Sequence, residues 1–506
     1  MEKKLQFNTM INIIRTISLS VISFITFPWI CRYLGETALG EYSWAVSFIT
    51  YFMILSKIGI PNFAIKECVK VRDNKELLSN KVQVFLIIQI IGSLISLGIM
   101  SLIIFSFKNT FTDPTLMFIL SINFMAGAYS FEWLYIALEK QFYMSVRNIM
   151  ILAISAIMII VFVKSPEDLH KYATCTVLVT VLTVICNIAF IFKNISFKKT
   201  MKWDFKPCIK PLLVLLGVTL LISLYNKTDE FVLGLIDKSK VEVSNYAIAI
   251  KGTDIIIGII AGLTTVYMPR AADYYNKEKI DKFNKLNSFA FGTCLFIILP
   301  AIVTMTILAK PICGLISGRD YSTDFGPYQN APYALMIVAP IMLTYSLGDM
   351  IYAQILLPTN KEKYYLLTLL VSTIVEISLS LLFGLVVFKD NPSLGVALSA
   401  FIVDMLLLVA LIYFSREYSI QAIFNINSFK IFISALVVAV ITFAIKFSTE
   451  AIFTNASYGT LSLIQILSSI VIGGIMYVVL LKLMKEKTVC TYFKRKEKKN
   501  TNEQVH

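Results

Sequence analysis

The stretch 212-LLVLLGVTLLISLYNKTDEFVLGLI-236 decides how this chain folds. Its apolar length reads as a membrane-spanning helix, for which about 20 apolar residues suffice. Yet Lys227, Asp229 and Glu230 lie within four positions of one another inside it. A charge at the bilayer centre costs roughly 2.5–3.5 kcal/mol on insertion scales. The segment can span only if these groups pair, reach the surface, or face water.

Similar apolar runs recur along all 506 residues. The chain is 57% hydrophobic and 15% charged, whereas a soluble domain carries about 25% charged residues. Fourteen spans are expected, centred near residues 20, 51, 94, 126, 154, 182, 222, 256, 298, 343, 376, 404, 438 and 472. The opening stretch 1-MEKKLQFNTMINIIRTISLSVISFITFPWI-30 reads as the first retained span, because its apolar run is too long for a signal peptide and lacks a small-residue cleavage site. Pro332 and Pro340 should bend the tenth span.

The basic residues test this count. With the N-terminus inside, 32 of the 46 Lys and Arg residues fall in segments on the cytoplasmic side. The opposite side holds only Arg32, Lys108, Lys164, Lys171, Lys238, Lys240, Lys310, Arg319, Lys389 and Lys446. Cytoplasmic loops are enriched in Lys and Arg, so both termini are expected in the cytoplasm. The formal net charge of +14 reflects this bias and does not point to nucleic acid. The tail 485-KEKTVCTYFKRKEKKN-500 reads as a solvated topology determinant that can also touch anionic headgroups. No C-x-x-C pair occurs among the eight cysteines, so no metal site or disulfide framework is expected. His170 reads as a solvated loop residue.

Four basic residues fall inside spans: Arg15, Lys57, Lys227 and Lys251. Seven acids join them: Glu132, Asp229, Glu230, Asp254, Asp349, Glu376 and Asp404. Facing lipid, these charges would cost on the order of 30 kcal/mol, more than the roughly 5–15 kcal/mol by which a folded chain is stable. A water-filled cavity between helices resolves the conflict. Arg15 and Lys57 have a second reading, snorkelling to the cytoplasmic surface. Asn8, Asn12 and Arg15 share one helical face, which favours a cavity wall. Lys227 with Glu230, and Lys251 with Asp254, stand at i, i+3, so each pair can form a neutralising bridge. Asp229 points to a different face from Lys227.

A weak internal repeat orders these charges. 131-FEWLY-135 and 348-GDMIY-352 each place a tyrosine three residues after an acid. Tyr42 and Tyr246, Ala45 and Ala249, and Lys66 and Arg270 share a second constant offset. The expected architecture is therefore an all-α polytopic membrane protein of about 14 helices. Residues 1–195 form an N-terminal lobe of six helices and 196–425 a C-terminal lobe of six around a central cavity. Two helices follow at 426–485, then a basic cytoplasmic tail at 486–506. Parallel repeats of this kind bind substrate between the lobes. The four cations fall on the first two helices of each lobe, which suits an anionic substrate such as a phosphate or pyrophosphate.

The stretches 27-FPWICRYLGETALGEYSWAVSFITYFMILSKIGIPNFAIKECVKVRDN-74, 229-DEFVLGLIDKSKVEVSNYAIAIK-251, 266-VYMPRAADYY-275 and 131-FEWLYIALEKQFYMSVRN-148 resemble the Wzx-like oligosaccharide flippases. These are polysaccharide transporters of the multidrug/oligosaccharidyl-lipid/polysaccharide exporter superfamily. The resemblance implies a two-lobed fold in a bacterial plasma membrane. It implies alternating-access transfer of an undecaprenyl-pyrophosphate-linked oligosaccharide repeat unit from the inner to the outer leaflet, for capsule, exopolysaccharide or O-antigen assembly. Arg15, Lys57, Lys227 and Lys251 match the family's cationic positions and are the expected substrate-binding residues. Three are lysine where arginine is common, and lysine binds phosphate as a point charge rather than a bidentate fork. Asp229, Glu230, Asp254, Glu132 and Asp349 are expected to pair with these charges or to serve H+ or Na+ coupling. Membrane lipids, the lipid-linked glycan, a polysaccharide polymerase and glycosyltransferases are the expected partners, with no cofactor or metal. The alternative is an ion-coupled multidrug or metabolite antiporter of the same fold. A membrane enzyme is disfavoured, because the chain has neither a large external loop nor an intramembrane histidine.

Overall fold

The computed structural model describes residues 2–111, 113–198, 202–322 and 326–487; between residues 2 and 24 it describes the backbone, with side chains only at 18, 22 and 23. Every described regular element is helical. Thirteen described helical segments are long and apolar enough to cross a membrane. The protein is a multi-pass, all-helical membrane protein.

The first two expected spans run as one helix, α1 (Glu2–Lys57), interrupted only at Gly35. There φ is 78° and ψ 172°, a backbone region that essentially only glycine adopts. The corner between two spans is thus compressed into one residue, which reconciles thirteen segments with fourteen expected spans. Two left-handed residues, Ile58 (φ 46°) and Gly59 (φ 69°), end α1 and start α2 (Ile60–Val71). Then come α3 (Lys75–Ser106), α4 (Pro114–Ala128), α5 (Glu132–Ala137), α6 (Gln141–Phe162), α7 (Leu169–Asn194), α8 (Lys206–Ile236), α9 (Val241–Asn276) and α10 (Ile280–Ile307). The remainder comprises α11 (Ala309–Ser317), α12 (Ala331–Val338), α13 (Ile341–Ile351), α14 (Glu362–Leu382), α15 (Pro392–Phe414), α16 (Arg416–Ile423), α17 (Ile426–Ile452), α18 (Tyr458–Ser468) and α19 (Gly474–Leu483). The tenth span breaks where its prolines predict: α12 ends before Ala339, and Pro340 caps α13.

The chain divides into two compact units, Met1–Ser244 and Asn245–His506. The repeat in the sequence sets its boundary at 195/196 instead. Helix α8 accounts for the difference, because it packs along α1. The Trp44 indole N–H donates to the Phe231 carbonyl at 3.2 Å, and Phe231 meets the rings of Phe48 and Tyr51. The first unit is cemented by Phe85, Phe131, Trp133, Leu134, Cys208 and Leu212.

Helix α17 shows how the membrane orders the second unit. Phe429, Phe432, Leu436, Val440, Phe443 and Phe447 form an exposed apolar stripe, while Ser434, Ala435, Val438 and Thr442 are buried. Bulky residues face outward and small or polar ones face the protein, as in helices whose solvent is lipid.

Candidate functional site

Arg15 lies on α1, and its side chain is outside the described ones. Lys57 is the last residue of α1, where a cation complements the negative end of the helix dipole. Its side chain is half-buried. Lys227 and Glu230 form the expected bridge on α8 at 2.9 Å. Lys251 and Asp254 do the same on α9 at 3.2 Å. Asp229 is half-buried on α8. Asp349 lies on α13 beside the Thr264 side chain, one turn before a π-helical turn, Tyr352–Leu356. Such turns inside α-helices recur at functional sites. Glu376 and Asp404 are buried on α14 and α15.

Glu132 occupies the most elaborate surroundings. The fourth span breaks at Tyr129–Phe131, with Phe131 left-handed (φ 49°), and restarts as α5 with Glu132 as its first residue. A break inside a membrane frees backbone carbonyls that must find donors. The Gln89 side-chain amide donates to the Ala128 carbonyl and the Asn187 amide to that of Ser130. Tyr129 and Ser93 share a hydrogen bond of 2.6 Å. Glu132 is held by Arg147 at 3.3 Å and by the Asn148 amide at 2.9 Å. The Arg147 guanidinium also donates to Asn148 at 2.7 Å and to Asn187. Its carbon lies 5.2 Å from the Tyr135 ring centre.

Arg147 corrects the sequence reading, which counted it among the cytoplasmic loop charges. It is only 4% exposed. A signal was present: Met144, Arg147, Ile151, Ser155 and Ile159 share one face of α6, and all are buried. Lys240 was likewise counted as an external loop charge. Its ammonium instead lies 3.9 Å from the Trp44 ring centre and donates to the Gly234 carbonyl. Burial pushes its pKa down to about 8, with Asp237 and Glu41 opposing the shift. His170 also departs from expectation: it sits in the first turn of α7 and meets Asp113 at 2.7 Å.

The acid-x-x-tyrosine echo has a structural counterpart within each unit. Tyr135 stacks on Phe190 at 3.9 Å, and Tyr352 stacks on Tyr365 at 4.1 Å. Each pair stands beside a broken helix that carries the acid.

A family model described as polysaccharide biosynthesis protein matches residues 5–275, and a second, described as MatE, matches 215–382. Among solved structures, a lipid II flippase MurJ in an inward closed conformation aligns at 17% identity with a TM-score of 0.65, over 93% of this chain and 98% of that one. An inward-facing multidrug resistance MATE family transporter of the MOP superfamily aligns at 15% identity with a TM-score of 0.57, over 81% and 94%. A MATE protein in complex with MaD3S aligns at 15% with a TM-score of 0.53, over 81% and 96%. At these identities the likeness is one of fold. No curated protein matches the sequence.

Proposed function

Because the chain belongs to the polysaccharide biosynthesis protein family, we propose that it moves an undecaprenyl-pyrophosphate-linked oligosaccharide from the inner to the outer leaflet of a bacterial plasma membrane, by alternating access. Both termini then lie in the cytoplasm, as the excess of basic residues in alternate loops favours. The observation that carries this reading is the set of cations within apolar helices. Lys57, Lys227 and Lys251 sit inside spans, and Lys227 and Lys251 each bridge to an acid one helical turn further along. A lysine held by an exchangeable carboxylate can trade it for a pyrophosphate, whereas a lipid-facing lysine could not persist.

In this scheme Arg15 and Lys57 draw in the pyrophosphate, and Lys227 and Lys251 receive it later in the cycle. The polyprenyl tail stays in lipid throughout. Asp229, Glu230, Asp254 and Asp349 hold the lysines or carry a coupling H+ or Na+. Transport needs no bond made or broken, so the protein acts as a carrier rather than an enzyme. A polymerase and glycosyltransferases would supply and consume the cargo.

The test is complementation of a strain lacking the protein. Lys57→Gln and the uncharged double variant Lys227→Gln/Glu230→Gln should insert normally and fail to restore surface polysaccharide. Normal polymer from both variants overturns the reading. The likeness to MATE structures favours a second reading, ion-coupled drug antiport. That reading predicts drug resistance on overexpression, with surface polymer unchanged on deletion.

A further inference from the structure

We propose that the cleft between α3 and α4 holds one anionic phospholipid, with an acyl chain in the cleft and the phosphate on Lys108. This site is separate from the lysines assigned to the cargo, and its occupant does not depend on what the chain carries.

Helices α3 and α4 are consecutive but scarcely touch, because each packs on α1 instead. The gap between them is a cleft of about 600 Å³, within the roughly 300–1,000 Å³ usual for a small-molecule site. Leu97, Ser101 and Phe105 of α3 and Phe118 of α4 wall it, and the buried Phe111 and Met117 make its floor. Phe111 is fixed from behind by α1: it stacks on Trp44 at 5.2 Å and meets Phe48 at 4.8 Å. The recess is therefore built on a packed surface. Left empty beside hydrocarbon, its lining would forfeit dispersion contacts, so a chain from the bilayer fills it.

Depth and charge select the lipid. From Leu97 to its end at Ser106, α3 climbs about 14 Å at 1.5 Å per residue. One leaflet's hydrocarbon is roughly 15 Å deep. Lys108 stands just past the helix end, at headgroup level. It is exposed, and its ammonium lies 4.0 Å from the ring centre of Phe105, a wall of the cleft. Among the described residues no carboxylate bridges it. Asp113, the acid at the far end of the same loop, is committed elsewhere. One of its oxygens accepts from the Leu116 backbone N–H at 2.9 Å, and the other meets His170 at 2.7 Å. An apolar cleft of leaflet depth with a cation at its mouth matches the two ends of an anionic phospholipid. A zwitterionic headgroup gains less, because its own cation offsets its phosphate. The cargo's polyprenyl tail is far longer than the cleft. In the topology proposed above, the leaflet is the outer one.

The experiment is native mass spectrometry of the full-length protein in detergent, titrated with phosphatidylglycerol and separately with phosphatidylcholine of the same chains. The parent protein should bind phosphatidylglycerol more tightly than phosphatidylcholine. Lys108→Gln should weaken phosphatidylglycerol binding about fivefold, the share of one lysine at an anionic surface, and leave phosphatidylcholine unchanged. Lys108→Arg should restore it. Ser101→Trp, which fills the cleft, should abolish the preference with Lys108 still in place. If Ser101→Trp does not fold, the two Lys108 variants decide. Equal affinity of the parent and Lys108→Gln for phosphatidylglycerol overturns the assignment, as does a parent without preference between the lipids. A dimer that Ser101→Trp dissociates would make the cleft an interface between copies. Binding of undecaprenyl phosphate that Ser101→Trp removes, with phosphatidylglycerol binding intact, would make it a cargo site. Either result overturns the phospholipid site.

Discussion

The ammonium of Lys227 lies 2.9 Å from the Glu230 carboxylate, one turn further along α8. The pair sets an opposite charge beside the lysine inside a span, where a single charge would oppose insertion. Glu230→Gln removes that bridge, at up to roughly 2.5–3.5 kcal/mol on insertion scales. The folded fraction in detergent should fall, as read by fluorescence-detected gel filtration. The exchanged double variant Lys227→Glu/Glu230→Lys keeps the pair of opposite charges and should recover folding. It should not recover export, because the cation is displaced by a turn.

Lys240 predicts a pH dependence of stability. Its folded pKa of about 8 is below the roughly 10.4 of a free lysine. Between those values the unfolded chain binds the proton that the folded chain has lost, so stability rises with pH across that window. Below pH 8 the buried ammonium is charged in both states and its desolvation opposes folding in full. Lys240→Met should therefore melt higher than the parent protein at pH 7, and the gap should close as pH rises from 8 to 10. Melting curves of the two proteins at a series of pH values check this.

Gly35 predicts a backbone-only effect. A Cβ there meets nothing within 4 Å, so size is not the obstacle. The obstacle is φ 78° with ψ 172°, which costs other residues about 1–3 kcal/mol. Gly35→Ala should lower the melting temperature. Gly35→Asn should not rescue it, because asparagine tolerates the left-handed helical region and this ψ lies outside it.

The broken helix predicts a graded loss. Gln89→Leu deprives the Ala128 carbonyl of its side-chain donor, at about 1–3 kcal/mol for a buried unsatisfied group. Asn187→Leu should cost more, because it removes both the donor to Ser130 and an acceptor of Arg147. Thermal unfolding of both single variants, compared with the parent, measures the order.

Much of this was legible in the sequence. Apolar length located the spans, and the i, i+3 spacing foretold the bridges of Lys227 and Lys251. What escaped depended on contacts between distant segments. Arg147 stands close to Lys140 and just outside an apolar run, so hydropathy assigned it to a loop. Only its register with Met144, Ile151 and Ser155 betrays a buried face. Lys240 is held by Trp44, nearly two hundred positions away, and no local pattern announces that. The continuity of α1 across Gly35 was hidden because a polar corner reads as a loop whether it is one residue or ten.

The most direct test of the central claim is transport by the purified protein in proteoliposomes loaded with a polyprenyl-pyrophosphate-linked oligosaccharide. A lectin or glycosidase added outside reports the glycan as it arrives. The account predicts that glycan becomes accessible with the parent protein and fails to do so with Lys57→Ala and with the uncharged double variant Lys227→Gln/Glu230→Gln, both inserted normally. No transfer by the parent protein, or equal transfer by the two lysine variants, would contradict it.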